Sequence, residues 1–372
     1  MREYLNGAQA IVRAAIDAEC NFFAGYPITP ASGILAGMLE YLPAVVGIGV
    51  QAEDEIASMG FCIAASMTGR KVMTATSGPG ISLYSENIGL AIMGEVPIVI
   101  VNTQRMGPAT GGATTGAEGD VLFTRWVTSG GYPTIILSPT DIADSYLLTI
   151  HAFNYAEKYR TPVFLLTSKE LVFTMETAEL DKIIKPVLIK RKHADPDKSF
   201  IPYAIDKLTD IPAISHYGES NIVRFTTSMH DERAFLTKDI EKIDKKLRHL
   251  EYKINAVVDD ITIVEEAQFE EAKTLVISYG VTARSVRDAL QMARDNGKIF
   301  SSLIIKSLYP VPESVIRKAV EKVECVVVPE LNMGQYVREI RQLAPAKEII
   351  PVNRVDGELI SPETILERVR FA

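Results

Sequence analysis

Glu53-Asp54-Glu55-Ile56-Ala57-Ser58-Met59-Gly60-Phe61-Cys62-Ile63-Ala64-Ala65-Ser66-Met67-Thr68-Gly69-Arg70-Lys71-Val72-Met73-Thr74-Ala75-Thr76-Ser77-Gly78-Pro79-Gly80 is the stretch from which the rest of the chain is read. Carboxylates open an alanine-rich run, Ile56 to Met67, whose small residues favour a closely packed helix. Lys71 to Ala75 then reads as a short strand, and the strand stops in the turn Thr76-Ser77-Gly78-Pro79-Gly80. Taken alone, acidic residues in a first helical turn need do no more than complement the helix dipole. A Gly-Pro-Gly turn is ordinarily just a turn, although glycine lets backbone approach a ligand closely.

The same alternation continues on both sides. Upstream, residues 8–19 carry apolar side chains at helical spacing, Asn21 to Ala24 reads as a strand, Gly25-Tyr26-Pro27 as a turn, and Val45 to Val50 as a further strand. Downstream, Ile81 to Met93 reads as a helix, and Pro97 to Val101, Thr134 to Leu137 and Thr161 to Leu166 as strands. Strands alternating with helices predict a doubly wound parallel sheet in an α/β domain over residues 1–175. Residues 176–260 read as a connector or arm: irregular, proline-containing, and closing on Asp239 to Lys253, a charged stretch expected to form a solvated helix or a subunit contact. Strand signals return at Leu275 to Ser278, Ser302 to Ile305 and Val326 to Val328 around a helix at Arg284 to Asn296, predicting a smaller α/β domain over residues 261–372.

With 372 residues, of which 47% are hydrophobic and 23% charged, the chain has the composition of ordinary globular domains. Its net charge of −8 argues against a nucleic-acid partner, which would require clustered cations. No apolar run reaches the roughly 18 to 20 residues of a membrane span. The start, Met1 to Asn6, lacks the apolar centre of a secretion signal, so a cytoplasmic location is expected. Cys20, Cys62 and Cys325 are far apart and read as buried, inert thiols; they offer no ligand set for zinc or an iron–sulfur cluster. His216 and His230 read as packing or surface residues, and no metal ligand is assigned on this chain.

The opening stretch, combined with Gly25-Tyr26-Pro27-Ile28-Thr29-Pro30 and with Asn102-Thr103-Gln104-Arg105-Met106-Gly107-Pro108, resembles the pyrimidine-binding domain of thiamine-diphosphate enzymes. More narrowly it resembles the alpha-type subunits of 2-oxoacid:ferredoxin oxidoreductases. The likeness continues through His216-Tyr217-Gly218, His230-Asp231-Glu232, Leu308-Tyr309-Pro310 and Pro329-Glu330-Leu331-Asn332-Met333-Gly334-Gln335. It implies that the smaller domain is transketolase C-terminal-like. It also implies that Glu55, with Glu53 as the alternative, contacts the cofactor's aminopyrimidine ring and favours the tautomer whose nitrogen accepts a proton. Tyr26, Pro27, Ser77 and Gly78 fall at its cofactor-binding positions, and Arg105 and Thr29 at those that hold a 2-oxoacid. A guanidinium fork and a hydroxyl suit a carboxylate beside a ketone.

The resemblance further implies what lies elsewhere. The magnesium-binding Gly-Asp-Gly of the family has no counterpart here, since Gly119-Asp120-Val121 lacks the second glycine, and no closely spaced cysteines are present for a cluster. Both point to a beta subunit holding magnesium and a [4Fe-4S] cluster, with the cofactor at the interface. Gamma- or delta-type subunits, ferredoxin and coenzyme A are the further expected partners. The expected reaction is oxidative decarboxylation of a 2-oxoacid, 2-oxoglutarate ahead of pyruvate and branched-chain acids. Two other readings stay open: the pyrimidine-binding subunit of a non-oxidative decarboxylase or transketolase-like enzyme, and a catalytically degenerate assembly subunit.

Overall fold

The computed structural model describes residues 2–371. In the first part of the chain come β1 (Glu3–Asn6), α1 (Gly7–Asp17), β2 (Phe22–Gly25), α2 (Ser32–Tyr41), β3 (Ile48–Gln51), α3 (Glu55–Met67), β4 (Val72–Thr76), α4 (Gly78–Met93) and β5 (Ile98–Gln104). They are followed by α5 (Val121–Arg125), β6 (Ile135–Leu137), α6 (Ile142–Tyr159), β7 (Pro162–Ser168), α7 (Lys169–Phe173) and β8 (Met175–Ala178). The helix expected at residues 8–19 begins one residue earlier, at a capping box: Asn6 Oδ1 accepts from the Gln9 amide at 2.9 Å and Gln9 Oε1 from the Asn6 amide at 3.0 Å.

β2 to β7 lie parallel in one sheet, in the order β6-β7-β5-β4-β2-β3. β5 and β7 are buried along their whole lengths, as central strands covered on both faces must be. The chain runs from β2 outward to β3, then back past β2 to β4. The loops leaving β2 and β4 therefore diverge, and a crevice opens at their carboxyl ends, where open α/β sheets bind ligands. One face of the sheet packs under α1, α2 and α6 through Ile11, Ile34, Met38 and Phe153; the other packs under α3 and α4 through Met59, Ile63, Tyr84 and Ile88.

Residues 183–239 hold only isolated β-bridges. Then come α8 (Ile240–Asn255), α9 (Val258–Ile261), β9 (Val264–Ala267), β10 (Thr274–Ser278), α10 (Thr282–Asp295), β11 (Ser301–Ile305), β12 (Ser307–Tyr309), α11 (Glu313–Glu321), β13 (Cys325–Glu330), α12 (Val337–Leu343), β14 (Glu348–Asn353) and α13 (Pro362–Leu366). A second sheet has the order β14-β13-β10-β11-β9, parallel except for β9. β12 leaves it and pairs antiparallel with β6, adding an edge strand to the first sheet. The two sheets also share a core, since Leu303, Leu308 and Tyr336 pack in the same apolar cluster as Tyr84 and Ile88.

Asp239 to Lys253, expected as a solvated helix or a subunit contact, is not solvated along its whole surface. α8 buries a charged stripe, Lys246, His249 and Lys253, against Glu95 in the turn between α4 and β5. A buried carboxylate is tolerated only with such partners, and here it supplies the docking point of the helix. The three cysteines are buried and free, and burial pushes the Cys20 and Cys62 thiols up to about 12.

Candidate active site

Asp54 caps α3 by accepting from the Ala57 amide at 2.7 Å, which turns Glu55 inward as the first helical residue. Glu55 is 7% exposed whereas Glu53 lies at the surface. The Glu55 carboxyl is shielded by α4: a Cβ on Gly80 would stand 2.8 Å from Glu55 Cγ, 3.0 Å from its Oε1 and 2.0 Å from Thr76 Oγ1. Gly80 is thus required by close approach. Among the described residues no hydrogen bond from the chain reaches the Glu55 carboxylate, which leaves it available to a ligand. Its charge, after burial, helps push the Tyr84 phenol upward.

Around it, the carboxyl ends of β4 and β5 expose a row of buried polar atoms with no partner in the chain: Thr76 Oγ1, Ser77 Oγ, Asn102 Oδ1, Gln104 Nε2 and Arg105 Nε. Native structures satisfy nearly all buried polar atoms, so such a row marks a place where a ligand supplies the missing bonds. Ser77 precedes α4, whose first residue is Gly78. Tyr26 and Pro27 are exposed on the loop after β2, the other wall of the crevice.

Arg105 follows β5 and is 6% exposed. Its Nη1 donates to the Thr29 carbonyl at 2.5 Å and its Nη2 to the Thr110 carbonyl at 3.1 Å. Two backbone tethers fix the guanidinium between the β2 loop and the loop after β5, and its remaining donors stay available. Ser77, Arg105, Thr29, Tyr26 and Pro27 sit on loops, and Glu55 and Gly78 at helix starts, at the carboxyl edge of the first sheet.

Two acidic residues in this region carry no role in the sequence reading. Asp120 lies over Gly78, with Oδ2 3.3 Å from where a Cβ would stand, and accepts from Asn102 Nδ2 at 3.0 Å. Burial raises its pKa against the opposing pull of Asn102 and Arg105. Glu118 is buried where the domains meet: Oε1 accepts from the Val281 amide at 2.9 Å and Oε2 has no partner. Burial, with Glu170 and Glu330 adding repulsion, pushes it up to about 8 despite the Val281 bond. Asn332 and Gln335 fasten the second domain to the same loop through the Glu118 carbonyl at 2.8 Å and the Gly119 carbonyl at 2.5 Å. In sequence, Asp120 stands out only within Gly119-Asp120-Val121, which lacks the second glycine of Gly-Asp-Gly, and Glu118 only by lying in the loop after Arg105.

Residues 13–249 match the family described as pyruvate flavodoxin/ferredoxin oxidoreductase, thiamine diphosphate-binding, and residues 272–365 match pyruvate:ferredoxin oxidoreductase core domain II. A 2-oxoglutarate synthase subunit KorA of Methanocaldococcus jannaschii is 40% identical over 98% of this chain and 98% of its own length. A ketoisovalerate oxidoreductase subunit VorB of Methanothermobacter thermautotrophicus is 30% identical over 99% and 97%. Among solved structures, a 2-oxoglutarate:ferredoxin oxidoreductase from Magnetococcus marinus with 2-oxoglutarate, coenzyme A and succinyl-CoA bound superposes with a TM-score of 0.91 at 31% identity; it covers 99% of this chain, which spans 64% of that one's length. A split-gene transketolase at 11% identity and a TM-score of 0.50 shares the fold alone. The chain belongs to the thiamine-diphosphate-binding 2-oxoacid:flavodoxin/ferredoxin oxidoreductase family.

Proposed function

We propose that this chain is the alpha-type subunit of a cytoplasmic 2-oxoglutarate:ferredoxin oxidoreductase, holding the aminopyrimidine end of thiamine diphosphate and the 2-oxoacid, while a beta subunit holds magnesium and a [4Fe-4S] cluster. The observation that carries this reading is the buried, unpartnered Glu55 carboxylate behind Gly80, beside the unsatisfied Thr76 and Ser77 hydroxyls. A planar heterocycle with both donors and acceptors fits that set. Bound there, the cofactor supplies an electron sink for the carbon freed when the 2-oxoacid loses carbon dioxide.

The chain's own residues do the rest. Glu55, 7% exposed, would hold the aminopyrimidine ring by a hydrogen bond to a ring nitrogen and so raise the basicity of its amino group. Arg105, already tethered to two carbonyls, keeps its orientation when it meets the substrate carboxylate, so little entropy is lost on binding. Thr29, whose carbonyl takes one of these tethers, would offer its hydroxyl to the substrate. Exposed Tyr26, Ile56 and Leu83 lie on the loop after β2, on α3 and on α4, which carry the site residues. Exposed apolar side chains beside the site support a partner chain closing over it. Relatives named for 2-oxoglutarate favour it over ketoisovalerate as the substrate.

The test is co-expression with a beta-type chain, followed by an anaerobic assay of coenzyme-A-dependent viologen reduction with 2-oxoglutarate, pyruvate and 2-oxoisovalerate. Reduction with 2-oxoglutarate that is lost in Arg105→Ala is expected. A cluster-loaded complex that reduces nothing would overturn the proposal and favour the non-oxidative or assembly reading.

A further inference from the structure

Far along the sequence from the site residues, the connector brings together a set of side chains that the proposed function leaves unused. A parallel bridge between His193 and Ile214 is closed by the Ala194 amide on the Ile214 carbonyl at 2.8 Å and the Ile214 amide on the Lys192 carbonyl at 2.9 Å. It sets the rings of His193 and His216 5.0 Å apart. Glu219 lies three residues further on, with Oε1 3.1 Å from His193 Nε2 and 3.1 Å from His216 Nδ1. One ligand atom from each of the three lies within 4.8 Å of the others.

We propose that His193, His216 and Glu219 form a binding site for a borderline first-row divalent cation, zinc in practice, that ties the two paired segments of the connector together beside the end of α3. Zinc with N and O ligands at about 2.0–2.2 Å in tetrahedral array needs ligand atoms roughly 3.3 Å apart, close to the 3.1 Å that separates Glu219 Oε1 from each imidazole, and the three ligand atoms lie within 4.8 Å of one another. The outer contacts also suit the role. Glu219 Oε2 is occupied by the Ser215 hydroxyl at 2.7 Å and the His216 amide at 2.9 Å, which orients Oε1 as a single ligand. His193 Nδ1 faces the Ala194 carbonyl at 3.2 Å, the usual second contact of a metal-bound imidazole. Arg191, 3.5 Å from His216 Nε2, is ion-paired with Glu157 at 2.5 Å, so its charge is already met.

Two imidazoles and one carboxylate favour zinc or cobalt over magnesium, which demands an octahedron of oxygens. His193 is 46% and Glu219 37% exposed in their side chains, which leaves an open coordination position for water. The cation would act where the connector meets the end of α3: the Tyr217 amide donates to the Met67 carbonyl at 2.9 Å, Arg191 to the Ser66 and Arg70 carbonyls at 3.0 and 2.9 Å, and His216 lies against Gly69, where a Cβ would come within 2.9 Å of Nδ1. The opposite end of that helix bears Glu55.

The experiment is a titration of the metal-free full chain with zinc by calorimetry and with cobalt by visible absorption, with and without excess magnesium, alongside thermal melts. One equivalent per chain, undisturbed by magnesium, is expected, with a rise in melting temperature on adding zinc. In the surface variant His193→Gln, and in Glu219→Gln, binding should weaken by more than about tenfold and the rise should disappear. Absence of stoichiometric zinc binding, or zinc bound equally well by a folded His193→Gln, would overturn the proposal.

Discussion

Replacing Glu95 by Gln tests whether the buried charge cluster holds α8 in place. Glu95 is fully buried; Oε1 accepts from Lys246 at 2.8 Å, and Oε2 from Lys253 at 2.8 Å and His249 at 3.0 Å. Arg160 is buried beside them, its Nε donating to the Glu95 carbonyl at 3.3 Å. One carboxylate therefore serves more than one cation. That surplus explains an apparent contradiction: Glu95 is held well below its usual value because the lysines and His249 outweigh its burial, yet Lys253, salt-bridged to it, is brought down by burial to about 8. Removing one partner of a buried ion pair typically costs about 3–5 kcal/mol, and since Gln keeps the volume and one acceptor we expect about 3 kcal/mol at pH 7. Urea unfolding followed by circular dichroism measures it. Lys253 is protonated in both states below pH 8; between about 8 and its unfolded value of 10.5 the unfolded chain binds more protons, so stability from this group rises with pH. As the lysine discharges, Glu95 loses the partner it neutralised, and the deficit of the variant should shrink between pH 7 and pH 10. A deficit below about 1 kcal/mol, or one that does not change with pH, would refute the reasoning.

Glu55→Gln should melt like the parent, because the carboxyl makes no bond within the chain, but should lower the turnover of the alpha–beta complex by about 10²–10⁴-fold; the same loss from Glu53→Gln instead would move the assignment. Gly80→Ala places a Cβ 2.0 Å from Thr76 Oγ1 and 2.8 Å from Glu55 Cγ, so overpacking of about 1–3 kcal/mol should outweigh the gain in helix propensity, with turnover falling about 10²-fold as Glu55 shifts. Glu118→Gln removes a carboxyl whose folded value, about 8, lies above its unfolded 4.5. The folded state holds the extra proton between those values, so stability from this group falls as pH rises from 4.5 to 8. Melting temperatures across that range should slope downward in the parent and less steeply in the variant.

What could be read in advance is what short-range chemistry determines. The alternation from residue 8 to residue 166 gave the parallel sheet because each strand and helix declares its own period, and the glycines of residues 78–80 declare a close approach whatever surrounds them. The order of strands did not follow from that: β12, one residue after β11, pairs with β6 about 170 positions earlier, a choice made by the edge that the folded sheet leaves open. Charge was the least legible property. Lys246, His249 and Lys253 recur at helical spacing among other lysines and glutamates, and nothing local separates a stripe that faces water from one that faces Glu95, about 150 residues away. The histidines of the connector pose the same problem, since His216 and Glu219 share one turn but His193 reaches them only through the bridge to Ile214. A titratable group takes its chemistry from its surroundings, and in this chain those surroundings are assembled by long-range packing; the proposed site is therefore legible in sequence at Glu55 and Arg105 through the family motifs that contain them, and hidden at Asp120, Glu118 and the cluster of the connector, which tertiary contact assembles.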